Sequence, residues 1–296
     1  MIRRWVAGLA ALGLAVAGVT LVAPLASAAT ATCSVVDTNS DQNFVDLQTA
    51  VNAAAASDEL VVSGTCTGTT RISEDVTLAG HGASPTLNGA LRIGPDTSVT
   101  VDNLIITNGH GGDYAADVIG SLFGPPEVAM ANSRLTLNHS SLTGNSGAFE
   151  GGGILLWPGT TLILNGRSTV TGNTGGFGGG IYNWGTVILN DGSGVTGNTS
   201  GDYGGGGIYN HGGTVTLNDG STVSNNSAYD GGGGIFSADG GTVTMNGGSK
   251  VIGNTAVHGP GGGIYNISGT MVGVVCGRNV RNNTPNNITD TNTNVC

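Results

Sequence analysis

The sequence predicts an all-β fold: a right-handed, single-stranded parallel β-helix of about eight coils of ~27 residues, closed at its N-terminal end by a short helix. Repetition is the main reason. Gly-rich runs lead into Ile154, Ile181, Ile208, Ile235 and Ile264, in steps of 27, 27, 27 and 29 residues. Within each period two further short apolar segments recur, at 161–165, 186–190, 214–218 and 242–246, and at 168–173, 193–198, 221–226 and 249–254. Composition is the second reason. With 55 Gly among 296 residues and only 9% charged, an ordinary helical enzyme domain is excluded. The 8 Pro and the lack of a Gly-X-Y period exclude collagen, and 38% apolar residues exclude plain disorder.

The elements follow in chain order. Residues 1–28 read as an export signal: Arg3 and Arg4, an apolar run from Val6 to Val22, then the small residues Ala26-Ser27-Ala28. A retained membrane anchor is the alternative, but the run is short for a spanning helix. No later segment is apolar enough to cross a bilayer, so a secreted or cell-surface protein without a transmembrane segment in its mature chain is expected. Residues 29–59 form the N-terminal cap, with a helix over 46–56 that places Leu47, Ala50, Val51 and Ala54 on one face behind an Asp46 N-cap. The β-helix itself spans 60–284, and an Asn-rich tail covers 285–296.

Each repeat holds three strands whose residues alternate. In Thr214-Val215-Thr216-Leu217-Asn218 the Val and Leu fall on one side and the Thr residues on the other. No such segment buries its apolar side alone, but stacked copies line one interior. Gly and Asn suit the corners because both adopt left-handed backbone, and stacked Asn side chains bond along the ladder. Right-handedness follows from the chirality of parallel crossovers. One register break is visible: Asn145 lies 37 residues after Asn108, and the surplus in 109–131 reads as a loop beside a binding face or as a neutral surface loop.

Charge and cysteines restrict the partners. The net charge of −10 becomes more negative once Arg3 and Arg4 leave with the signal, and Lys250 is the only lysine. Nucleic acid is therefore not an expected partner, since phosphate binding needs clustered positive charge. Export makes disulfides reasonable, and proximity suggests Cys33 with Cys66 and Cys276 with Cys296, one staple at each end. Four cysteines permit three pairings, among which spacing alone does not choose. No Cys lies at metal-ligand spacing from another, so neither a metal nor another cofactor is implied.

The strings Val170-Thr171-Gly172-Asn173-Thr174 and Gly178-Gly179-Gly180-Ile181-Tyr182-Asn183, repeated across 141–284, resemble the polymorphic outer membrane protein repeat, Phe-x-x-Asn followed by Gly-Gly-x-Ile. Leu60-Val61-Val62-Ser63-Gly64 resembles the start of secreted pectin-lyase-like β-helix proteins. These resemblances imply an exported right-handed β-helix that acts as an adhesin, a passenger or a polysaccharide-active protein. Val stands here for the Phe of the first motif. No C-terminal region resembles a membrane-inserted barrel, so simple secretion is expected.

Candidate chemistry is sparse. Arg71, Arg92, Arg134 and Arg167 recur without the acidic cluster of a lyase beside them. Asp202 and Asp230, 28 residues apart, could bring two carboxyl groups near the ~5 Å of a retaining glycosidase pair, or could be solvated corner acids. Gly80-His81-Gly82 and Gly109-His110-Gly111 resemble the Gly-His-Gly of polygalacturonases but lack its acidic companions, and a turn explains the first. The aromatic residues are more regular. Tyr182, Tyr209, Phe236 and Tyr265 each follow the inward Ile and so face outward in a column; Phe149, Phe177, Tyr203, Tyr229 and His258 form a second, irregular one. Such columns stack on sugar rings or simply on one another. A third outward column, Thr161, Ile163, Thr186, Ile188, Thr214, Thr216, Thr242 and Thr244, is flat enough for ice binding, although the β-propensity of Thr explains it equally. The expected function is non-catalytic binding of a polysaccharide or another cell-surface component, with a polysaccharide lyase or glycoside hydrolase as first alternative and an ice-binding protein as second.

Overall fold

A computed structural model describes residues 32–110, 132–148, 150–291 and 296. The expected signal segment and most of the 109–131 insertion lie outside the described residues. Residues 31–296 make one compact unit. It is a parallel β-solenoid of about seven turns of ~27 residues, with 3% helix. The count of about eight assumed a constant step, and the step varies: 23 residues separate Asp75 from Ser98, 36 separate Leu104 from Ser140, and 28 separate Ser140 from Ser168.

Alternation decides what points inward. On the first side Val76, Val99, Leu135, Leu162, Val187, Val215, Val243 and Met271 pair in strict register from turn to turn. On the second, Leu87, Ile106, Leu142, Val170, Val195, Val223, Val251 and Val280 do the same. Ile154, Ile181, Ile208, Ile235, Ile264 and Ile288 form the third. The three columns meet in a single apolar core. Since successive turns pair in parallel, no single turn is stable alone, and burial is shared along the axis.

Each full repeat carries one element that sequence reasoning missed. Thr174–Gly175, Thr199–Ser200, Ser227–Ala228 and Thr255–Ala256 pair as a sheet of two-residue strands between the second and third sides. They have no room for apolar alternation, so nothing in their composition marks them as strands. Directly before each of the four sits a buried Asn. Asn173, Asn198, Asn226 and Asn254 are the middle rungs of a ladder from Asn145 to Asn283, in which each side-chain Nδ2 donates to the next Oδ1 at 2.9–3.0 Å. The Gly-rich runs then let adjacent turns close up. A Cβ on Gly207 would stand 2.7 Å from the carbonyl oxygen of Gly234, so no larger residue fits there.

The ends are covered differently. At the N-terminal end Ser34–Asp37 pairs antiparallel with Asp58–Thr67, and Gln42–Phe44 pairs antiparallel with Ser34–Asp37. Helix α1, Leu47–Ala53, starts where the Asp46 carboxylate accepts from the Thr49 backbone N–H at 2.8 Å. It is shorter than the 46–56 expected, because Ala54 turns to extended backbone and the Ala55 N–H is taken by the Asp58 carboxylate at 2.7 Å. Leu47, Ala50 and Val51 are buried in the common core. From α1 the Gln48 side-chain amide both accepts from and donates to the Arg71 backbone, satisfying the edge of Thr70–Ile72. Cys33 is bonded to Cys66, and Cys276 to Cys296. The third-side ladder continues past residue 284 to Ile288–Asp290, whose Ile288 carbonyl accepts from the Cys296 N–H.

Candidate binding face

Inward Ile at positions 154, 181, 208, 235 and 264 turns the following residue out of the solenoid. The outward column thus reads Leu155, Tyr182, Tyr209, Phe236, Tyr265 and Thr289, in register. Its ring centroids are 5.2 Å apart between Tyr182 and Tyr209, 4.8 Å between Tyr209 and Phe236, and 5.1 Å between Phe236 and Tyr265. Only the middle pair is stacked flat.

The expected second column does not stand apart from this one. Phe177 leans back from its Gly-rich loop onto Tyr182 at 5.8 Å and meets Tyr209 edge-on at 5.1 Å, while Tyr203 stacks on its outer face at 3.9 Å. As a result Tyr182, although turned out of the solenoid, is only 7% exposed. Tyr203 and Tyr229 are the most exposed of the described Trp, Tyr and Phe rings, at 47% and 52%, and Tyr229 packs on His258 at 4.6 Å. Phe149 lies outside the described residues. The rings also roof the loops: a Cβ on Gly204 would meet the Phe236 ring, and one on Gly231 the Tyr265 ring.

A further column escaped sequence reasoning. Trp157 and Trp184 pack at 4.6 Å, the Trp184 Nε1–H donates to His211 Nδ1, and His211 Nε2 lies 2.8 Å from the Asp239 carboxylate. Trp157, Trp184 and His211 recur at the 27-residue period, a signal that was present in the chain. Trp184 also packs on Tyr182 at 5.2 Å, so this column and the Tyr column form one aromatic patch.

The electrostatics of the patch follow from its dryness. Burial, with smaller contributions from Tyr209, Glu150 and Asp239, raises the Tyr182 phenol well above its ordinary range; burial and then Asp239 raise Tyr209. Both phenols stay neutral and keep a hydroxyl proton to donate. Burial likewise raises the Glu150 carboxyl, whose Oε2 is buried and without a hydrogen-bond partner.

The other candidate residues lie as follows. Asp202 and Asp230 are both exposed, on loops where the Asp230 N–H donates to the Tyr203 carbonyl, one residue off the pairing that the 28-residue spacing implies. The Thr column is in register, Thr161 with Thr186, Thr214 and Thr242, and Ile163 with Ile188, Thr216 and Thr244. His81 is exposed within Val76–Asn88, and His110 Nδ1 meets Ser146 Oγ at 2.8 Å. Among the described residues, no group of three or more His, Cys, Asp or Glu side chains could hold a metal ion, and no helix is long and apolar enough to cross a membrane.

Fold and face together define a disulfide-bonded parallel β-solenoid with one aromatic side. Comparison with protein-family models, with curated proteins and with solved structures finds no match to this chain.

Proposed function

We propose that this chain is a secreted, non-catalytic β-helix protein that binds a polysaccharide at a cell or matrix surface through its aromatic side. One observation carries the reading. Among the described residues, every Trp, Tyr and Phe other than Phe44 lies on a third-side strand, directly after one, or on the Gly-rich loop leading into one, in a chain only 5% aromatic. Sugar rings bind by offering C–H faces to aromatic rings and hydroxyls to polar neighbours, and Tyr203 and Tyr229 supply accessible faces next to neutral phenols. Exposed Asp202 and Asp230 are the chain neighbours of Tyr203 and Tyr229, so a neutral or amino-sugar chain is favoured over a uronate polymer. The resemblance to pectin-lyase-like proteins and to polymorphic outer membrane repeats supports the same reading, since both imply an exported, carbohydrate-facing or adhesive solenoid.

The test is a panel of neutral, amino-sugar and uronate polysaccharides, scored for retention of the protein and for newly formed reducing or unsaturated ends. Retention without new ends, weakened at least tenfold by Tyr203→Ala with Tyr229→Ala, is the expected result. New ends abolished by Asp202→Asn or Asp230→Asn would replace the reading with a hydrolase or lyase. Absence of retention on every polymer would end the carbohydrate reading.

A further inference from the structure

The Trp184–His211–Asp239 column sets a direction for its protons. An indole N–H only donates, so His211 Nδ1, which receives it, must present a lone pair. The single proton of the neutral imidazole is then on Nε2, aimed at the Asp239 carboxylate 2.8 Å away. The chain of bonds therefore runs one way, from indole to imidazole to carboxylate, across successive turns. A second proton on the imidazole has only Nδ1 to occupy. There it would face the indole N–H, donor against donor, and the Trp184 bond would be lost while the contact with Asp239 became an ion pair.

We propose that His211 is an acid-released latch on the aromatic patch: neutral, it pins the Trp184 indole over Tyr182; protonated, it lets the indole go and uncovers that ring. This deepens the polysaccharide reading by giving its site a regulation, and it rests on that reading only for its biological use. The packing makes the consequence specific. Trp184 lies 4.6 Å from Trp157, 5.2 Å from Tyr182 and 5.5 Å from the imidazole, so it is the lid of the buried end of the patch. The imidazole is faced by Tyr182 at 6.3 Å and by Tyr209 at 6.1 Å, both uncharged, and by Asp239. Glu150 stands beyond Tyr182 and acts on that phenol. Asp239 is thus the anion that would hold the protonated ring, and His211 is a positioning residue rather than a ligand contact.

The experiment is a ligand-free fluorescence titration of the intact chain from pH 8 to pH 5, the interval in which imidazoles change charge. The expected result is a single reversible sigmoidal change in indole emission that is lost in His211→Gln and moves to lower pH in Asp239→Asn, with far-ultraviolet circular dichroism unchanged throughout. A flat titration of the wild-type chain, the same transition in His211→Gln, or an unmoved midpoint in Asp239→Asn would overturn the latch. Failure of the two proposals is separable. A flat titration with polysaccharide still retained removes only the latch, whereas a normal titration without retention removes only the binding reading.

Discussion

The side-chain Nδ2 of Asn226 donates to Oδ1 of Asn254 at 2.9 Å, and the same oxygen accepts the Asn226 backbone N–H at 3.0 Å. One oxygen thereby satisfies two buried donors of the preceding turn, and the pattern repeats with Asn198 on Asn226 and Asn254 on Asn283. Nδ2 also donates to a main-chain carbonyl, Val195 in the case of Asn226. Asn198, Asn226 and Asn254 each bond both to the turn before and to the turn after.

Removing one rung should therefore cost more than one hydrogen bond. Asn226→Ala strands the Asn198 backbone N–H without an acceptor, leaves Asn198 Nδ2 only the Val170 carbonyl, and removes both bonds that Asn226 Nδ2 donates; an unsatisfied buried donor alone costs roughly 1–3 kcal/mol. The expected loss is about 3 kcal/mol or more, read as a lower urea midpoint with an unchanged slope. A loss under about 1 kcal/mol would show that water or a shifted neighbour replaces the side chain.

Glycine is required at some positions and not at others. Gly207→Ala forces a Cβ to within 2.7 Å of the Gly234 carbonyl oxygen and 2.8 Å of Asn226 Nδ2, whereas at Gly201 the nearest atom is 4.0 Å away. The first substitution should lower stability by about 1–3 kcal/mol, as overpacking does, and the second should leave it within about 0.5 kcal/mol. Equal thermal midpoints for the two variants would contradict the close approach of adjacent turns.

Reduction should loosen the N-terminal cap. The Cys33–Cys66 bond closes a separation of 33 residues, and Cys66 sits in the core at 3% exposure. Paired replacement by Ala should cost about 2–4 kcal/mol. Hydrogen exchange should accelerate first over 33–72, the segment that holds α1 and the antiparallel strands. Uniform acceleration along the whole solenoid would instead indicate a single cooperative unit.

Glu150 gives a pH dependence with a defined sign. Burial raises its folded-state carboxyl above the unfolded value. Its contribution to stability is therefore complete at acid pH, below the unfolded carboxyl range, and is lost as pH rises through the folded value. Glu150→Gln should stabilise the protein at pH 7 by less than about 1 kcal/mol, a modest gain because the group is half-exposed and solvent screens it, and should do nothing near pH 3. A stabilisation that persists at pH 3 would point to a packing effect.

What was legible in the sequence is what repeats at short range. The Ile and Val columns were readable because a strand turns alternate residues to opposite faces, so Val215 and Leu217 could only be inward if the Thr residues were outward. Asn226 and its equivalents stood at the period and could be assigned to corners. Both nearest-neighbour cysteine pairings formed, although spacing had left the connectivity open. The two-residue strands such as Ser227–Ala228 were illegible, because two residues carry no periodicity.

The period, the inward face and the corner residues are written in the residue order, because all of them depend on chain geometry within one repeat. Which outward side chains meet solvent is set by packing between turns and loops. Tyr182 and Tyr229 are both aromatic residues near the third side, yet one is 7% and the other 52% exposed. The difference arises because Phe177 and Trp184, from separate segments, fold over the first and nothing comparable covers the second. Alternation fixes the direction of a side chain, but its cover comes from loops and neighbouring turns whose packing no local pattern encodes.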